Sequence, residues 1–166
     1  NNMNSDKIIE QASLLVQNEE VKEAKLLLLS EGFEKRIDKK IQEAFYELIP
    51  VNAELKREQH NSLEKLFEKD DKSRIDAAKF IFKEARKEFS WKIGEWLGDP
   101  RTIDILLLAL KDDNKKVVAE VTGALWMISN KGRYLKDLRI YPRLLDLLTY
   151  PDIDVVFYAA MGLCNF

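Results

Sequence analysis

The sequence predicts an all-α fold, and both its composition and the spacing of its apolar residues support that prediction. Helix-favouring Glu, Lys, Leu and Ala are abundant, and the 166 residues include only 6 Gly and 4 Pro. Apolar residues recur at steps of three and four, which places them on one face of a helix. No alternating strand pattern of useful length is present. We therefore expect helices joined by short loops.

Three apolar stripes show the helical spacing, and the first predicts a leading helix over 5–17. The stripes are Ile8, Ala12, Leu15 and Val16; Ile37, Ile41, Ala44, Phe45 and Leu48; and Ile75, Ala78, Phe82, Ala85 and Phe89. Turn-forming Gly, Pro, Asp and Asn separate the helical stretches. They lie at 30–32, 50, 70–71, 98–100, 112–114, 130–132 and 150–152.

An internal repeat becomes visible when the sequence is shifted by 38 residues. Residues 94–101 then align with 132–139, so that Gly, an aromatic residue, Leu, Asp and Arg recur in register. The same shift aligns 117–118 with 155–156, and a shift of 44 relates the two halves of the chain. The repeat predicts a single domain over 1–166 with four units at about 19–50, 52–90, 94–130 and 132–166.

Each predicted unit consists of a helix, a short acidic turn and a second helix. An Asp or Asn in the turn can cap the second helix through its side-chain oxygen. Small residues near the middle of the second helices, such as Ala78, Ala124 and Gly162, let neighbouring helices approach closely. One helix pair cannot bury its apolar face alone, so the units are expected to stack as an α-solenoid.

The second helices carry a family pattern, Val-Arg-x-x-Ala-Ala-x-Ala-Leu. Residues 155–163 match it through Val155, Ala159, Ala160 and Leu163. On this pattern the chain resembles the HEAT repeat family, particularly its short bacterial form, well over 70–166 and loosely over 19–69.

The resemblance implies a right-handed α-solenoid, an armadillo-like superhelix whose second helices line a concave surface. The Arg of the family pattern is present at Arg74 and is replaced by Val118 and Val156. A repeat protein normally ends in a capping unit with a polar outer face. The apolar stretch ending at Phe166 therefore leads us to expect that the natural chain continues.

Several functional classes are excluded by composition. One Cys and one His leave no usual zinc site and no disulfide framework, and a single Cys suits a reducing, cytoplasmic setting. No apolar run approaches the ~18 residues of a membrane span. The net charge of −2 gives no global attraction to nucleic acid. We expect no metal, no cofactor and no membrane contact.

Catalytic motifs are also missing from the sequence. There is no glycine-rich phosphate loop and no Gly-x-Ser-x-Gly motif. His60 and Cys164 lie in the second and the fourth predicted units, so we expect them to be unrelated, with Cys164 a small packing residue. The paired acidic residues are expected to cap helices. We therefore predict that the protein is not an enzyme and has no catalytic residues.

Basic and aromatic residues supply the candidate binding site. Lys79, Lys83 and Arg86 share one face of a predicted helix and favour a partner with an acidic surface. Trp91 has no counterpart in the repeat, and Trp126 follows the core Leu125. Aromatic and Arg side chains are the usual anchors of binding surfaces. The predicted binding residues are Lys79, Lys83, Arg86, Trp91, Trp126, Arg133 and Tyr158.

These features predict a non-catalytic protein-binding module, either a scaffold or adaptor or a small bacterial inhibitor of the immunity-protein type. The alternative is a HEAT-like DNA-binding protein or alkylated-base DNA glycosylase, with Trp91, Trp126 and Glu120 near the lesion. The family resemblance also leaves open a phycobilin lyase, for which no chromophore pocket is recognisable. Nucleic acid is the less favoured partner because the chain lacks a dominant basic footprint.

Overall fold

The computed structural model describes residues 4–35, 38–49, 57–87, 94–131 and 137–166. All regular secondary structure in these ranges is helical, which confirms the predicted all-α class. None of the helices within them is long and apolar enough to cross a membrane. The chain divides into two compact units, residues 1–52 and 53–166.

The first unit contains α1 (Ser5–Gln17), α2 (Val21–Leu28) and α3 (Lys39–Leu48), and α2 continues as a π-helical segment, Leu29–Glu34. Asn4 and Asp38 cap α1 and α3 through their side chains. The hydroxyl of Ser5 donates to the Asp38 carboxylate at 2.7 Å and so links the starts of the two helices. The core of this unit includes Ile8, Leu28, Phe33, Ile41 and Phe45, none of which is exposed.

The second unit contains α4 (Arg57–Lys65), α5 (Asp71–Arg86), α6 (Gly94–Leu97), α7 (Pro100–Ala109), α8 (Lys115–Lys131), α9 (Ile140–Leu147) and α10 (Ile153–Leu163). The helix α8 packs against both α5 and α10. In turn, α4, α7 and α9 pack against α5, α8 and α10, respectively, and α7 also contacts α4 and α9. The three longer helices therefore form one layer, and the three shorter helices accompany them.

The predicted helix caps recur at equivalent positions of this unit. The carboxylate of Asp70 accepts the backbone N–H of Ser73 at the start of α5. Asn114 caps α8 and Asp152 caps α10 in the same way. The two later caps are 38 residues apart, which equals the shift that aligns the sequence. The acidic turns therefore act as helix starts, as the sequence predicts.

The Asp-x-Arg segment that recurs in the sequence forms the same local structure twice. Asp99 accepts the backbone N–H of Arg101 at 2.8 Å and pairs with its guanidinium at 2.7 Å. Asp137 and Arg139 make the same two contacts at 3.0 and 2.7 Å. Arg139 also pairs with Asp104 of α7, so it links α7 to the start of α9. These arginines stabilise helix starts and helix packing.

A buried ion pair joins α5 to the turn before α8. The Nε of Arg74 lies 2.7 Å from Oδ2 of Asp112, and both side chains are at least 93% buried. Arg74 also donates to the carbonyl oxygens of Glu68 and Lys69 at 2.9 and 2.8 Å. The family-pattern Arg thus binds an Asp 38 residues away, in the next predicted unit. Buried charges are tolerated when they are paired and fully hydrogen-bonded.

Replacing Arg74 by Met should lower the free energy of unfolding by about 3–5 kcal/mol, because Asp112 would remain buried without its cation. Lys72→Met, also on α5, removes an exposed ion pair and should cost less than about 1 kcal/mol. Urea unfolding followed by circular dichroism measures both variants. Equal losses of stability would contradict the importance of the buried pair.

Candidate functional site

The three basic residues predicted on α5 are all exposed. Lys79, Lys83 and Arg86 are separated by four and three residues, so they lie on one face of the helix. Lys79 and Arg86 are also within electrostatic reach of Glu120 on α8. The basic face of α5 therefore adjoins α8.

Four aromatic rings from α5, α8 and α10 form one connected group, which we call the aromatic cluster: Phe82, Trp126, Phe157 and Tyr158. The Phe82 and Tyr158 ring centroids are 5.3 Å apart and meet edge to face. Tyr158 stacks on Trp126 at 5.8 Å and 20°, and Phe157 approaches Trp126 at 6.2 Å and 82°. Both geometries are favourable for aromatic pairs. The structure thus brings the predicted Trp126 and Tyr158 together.

Two glycines permit this close packing. A Cβ atom on Gly123 of α8 would lie 2.4 Å from the Phe82 ring, so only glycine leaves room for the ring. A Cβ on Gly162 of α10 would lie 2.7 Å from Leu144 and 3.4 Å from the Cα of Trp126. The sequence indicated Gly162 as a packing residue but gave no reason to select Gly123. The ring that packs on Gly123 is that of Phe82, which lies on another helix, α5.

The cluster is buried at one end and open at the other. Phe82 is 3% exposed, Trp126 and Tyr158 are half-buried, and Phe157 is 53% exposed. Truncation of Trp126 would therefore disturb packing as well as any binding, whereas Phe157 can be truncated at little cost. Sequence reasoning missed Phe157. The 38-residue shift aligns Phe157 with Ala119 of α8, and this exchange of a small residue for an aromatic one was the available signal.

Charged groups of both signs surround the cluster. The Arg86 guanidinium carbon lies 4.2 Å from the Phe82 centroid, which is a cation–π contact. Burial raises the pKa of Glu120 above its ordinary value, Lys79 and Arg86 oppose this shift, and Asp154 adds to it. The pKa of Tyr158 is also raised, mainly by burial and further by Glu120 and Asp154, and Arg86 opposes this shift. Carboxylates from α8 and α10 therefore lie near the Tyr158 ring.

The aromatic cluster and these charged residues define the α5–α8–α10 surface. Its members are Lys79, Phe82, Lys83, Arg86, Glu120, Trp126, Asp154, Phe157 and Tyr158. Among the described residues, Lys79, Lys83, Glu120 and Asp154 form no ion pair with one another or with any other side chain. The surface is therefore mixed in charge, and these four groups are available to a partner.

The other predicted positions fall elsewhere. Trp91 and Arg133 lie outside the described residues. In the second basic stretch, residues 131–143, Arg139 is engaged by Asp137 and Asp104.

Cys164 was expected to be a packing residue, and this was wrong. It is exposed because it lies at the C-terminal cap of α10, beyond the last buried turn.

An open cleft of about 450 Å³ lies at the starts of α5 and α8. It is lined by Asp71, Arg74, Asp113, Asn114, Lys115 and Lys116. Its polar groups are largely engaged, since Arg74 binds Asp112 and the Asn114 amide donates to Asp71 at 3.1 Å. Within the described ranges, no three His, Cys, Asp or Glu side chains are placed to hold a metal ion. The polar groups of the cleft therefore serve mainly to join the starts of α5 and α8.

Comparison with protein-family models, with curated proteins and with solved structures finds no match to this chain. The resemblance to HEAT repeats consequently rests on the residues of the second helices and stays a prediction. A fold alone does not determine function, so the α5–α8–α10 surface is the basis for a functional assignment.

The carboxyl group of Glu120 should titrate above the ordinary value of 4.5. Lys79→Gln should raise the pKa of Glu120 further because it removes a cation, and Asp154→Asn should lower it because it removes an anion. Carbon-detected NMR of the side-chain carboxyl measures all three. Since burial disfavours the charged form, this group opposes folding above its raised pKa, and the effect disappears below pH 4.5. A pKa at or below 4.5 would contradict the assigned burial.

Proposed function

We propose that this protein is a non-catalytic protein-binding module, and that it contacts its partner through the α5–α8–α10 surface. One observation carries the proposal: a half-buried aromatic cluster, open at Phe157, adjoins four charged side chains that form no ion pair with any described residue. Aromatic anchors surrounded by polar groups are typical of protein interfaces. Such a surface suits a scaffold or adaptor, or a small bacterial inhibitor of the immunity-protein type.

We further propose that the helix pairs α4–α5, α7–α8 and α9–α10 are HEAT-like units of a right-handed α-solenoid. Two features support this arrangement: the packing of α8 against both α5 and α10, and the equivalent caps at Asp70, Asn114 and Asp152. In such a solenoid the second helices form the continuous binding face. The α5–α8–α10 surface lies on those second helices.

The charge distribution favours a protein partner over nucleic acid. A surface that binds duplex DNA usually carries a dominant basic footprint. Here Glu120 and Asp154 share the surface with Lys79 and Lys83, whereas Arg101 is 5% exposed and held by Asp99. An acidic region of the partner is expected to face the basic side of α5. The alkylated-base glycosylase remains the alternative, since Glu120 and Trp126 lie on one helix of this surface.

The proposal is tested with the full chain as bait in its native lysate, at about 150 mM salt so that weak electrostatic binding is screened. Phe157→Ala and Lys83→Glu should each reduce recovery of a stoichiometric protein about tenfold or more, because each removes an exposed contact. Lys22→Glu, an exposed residue of α2 with the same change of charge, is the matched control. Circular dichroism verifies that all variants keep their helix content.

Three results would contradict the proposed function. The first is equal recovery by the wild type, Phe157→Ala and Lys83→Glu. The second is a captured species that nuclease removes. The third is release of a modified base from alkylated DNA, which would support the glycosylase alternative. Recovery that falls only in Lys22→Glu would move the binding site to the first unit.

A further inference from the structure

We infer that the α8–α10 end of this surface is a subsite for an arginine side chain of the partner protein, formed by the rings of Trp126 and Phe157 and the carboxylates of Glu120 and Asp154. The inference rests on the proposed function and names the chemistry that the partner must present. A planar guanidinium can stack on an aromatic face while its N–H groups bind carboxylates, which lysine does less well.

The aromatic part of the subsite is a corner between two rings. Phe157 and Trp126 meet at 82° with centroids 6.2 Å apart, and Phe157 is 53% exposed. The third ring, Tyr158, stacks on Trp126 from within the cluster and lies 5.8 Å from Phe157. The rings are thus held by their neighbours before any ligand arrives, which lowers the entropic cost of binding.

The periodicity of the α-helix places the Asp154 carboxylate of the subsite beside the rings. Asp154 precedes Phe157 by three residues and Tyr158 by four, so the three side chains share one face of α10. Glu120 of α8 is half-buried and interacts electrostatically with both Asp154 and Tyr158. Two carboxylates from two helices are therefore within electrostatic reach of Tyr158.

In the described residues, neither of these carboxylates is held in an ion pair. The nearby cations Lys79 and Arg86 belong to α5. The raised pKa of Glu120 indicates that Lys79 and Arg86 do not fully offset its burial. A guanidinium bound at α10 would add positive charge beside both carboxylates.

The other end of the aromatic cluster already contains the same kind of contact. The Arg86 guanidinium of this chain lies over the Phe82 ring at 4.2 Å. Cation–π contacts strengthen when the groups are desolvated. A guanidinium from the partner would make an equivalent contact with the open Phe157 ring. The surface would then bind an acidic group of the partner over α5 and an arginine of the partner over α10. Two such contacts would fix the orientation of the partner.

The test uses the full, isotope-labelled chain and N-acetyl-arginine amide as the probe, at constant ionic strength and neutral pH. The indole N–H resonance of Trp126, assigned with Trp126→Phe, should shift and saturate. N-acetyl-citrulline amide has nearly the same shape but no charge and should cause no saturable shift. The Glu120→Gln/Asp154→Asn double variant should weaken arginine binding about tenfold. Glu23→Gln, exposed on α2, is the matched control.

The subsite would be overturned if citrulline amide shifted the resonance equally, if the double variant bound arginine amide as tightly as the wild type, or if N-acetyl-aspartate amide bound better. These failures are separable from failure of the proposed function. Loss of partner recovery in Phe157→Ala together with no arginine binding would remove the subsite and retain the binding surface. Both Gln and Asn keep the shape of the original side chain, so loss of folding is not the expected outcome.

Discussion

The packing of α8 between α5 and α10 is the constraint on which the rest of the second unit depends. Phe82 lies directly on Gly123, and Gly162 lets α10 approach Trp126 and Leu144. Because backbone and rings are this close, the aromatic side chains of three helices are fixed by the same contacts that fix the helices. Close-packed interiors transmit such restraint from neighbour to neighbour. The candidate binding surface is therefore an extension of the core.

Internal ion pairs determine which charges remain for a partner. One predicted unit after Arg74 and Asp112, the equivalent positions hold Val118 and Tyr150, so both members of the pair are replaced together. This avoids the high cost of an unpaired buried charge. The link between neighbouring helix pairs is made there by Arg139 and Asp104. In the part of the chain that the structure describes, the arginines are thus largely used within the fold, and the lysines and carboxylates of the α5–α8–α10 surface form no ion pairs.

Local features could be predicted from the sequence, and contacts between helices could not. The helices and their Asp and Asn caps follow from spacing and short-range chemistry, as does the shared face of Lys79 and Lys83. The pairing of Trp126 with Tyr158 and the position of Phe82 on Gly123 depend on how three helices pack. The recurring Asp-x-Arg segment was visible as a pattern, yet its ion pairs appear only in the folded structure.

Site-specific photo-crosslinking tests most directly whether a partner contacts the proposed α5–α8–α10 surface. Benzoylphenylalanine would replace Phe157 in one variant and Leu26, which is 59% exposed on α2, in the other. We expect irradiation in the native lysate to join position 157 to one protein of defined mass, with no such product at position 26. A product at position 26 alone, or the same products at both positions, would contradict the claim.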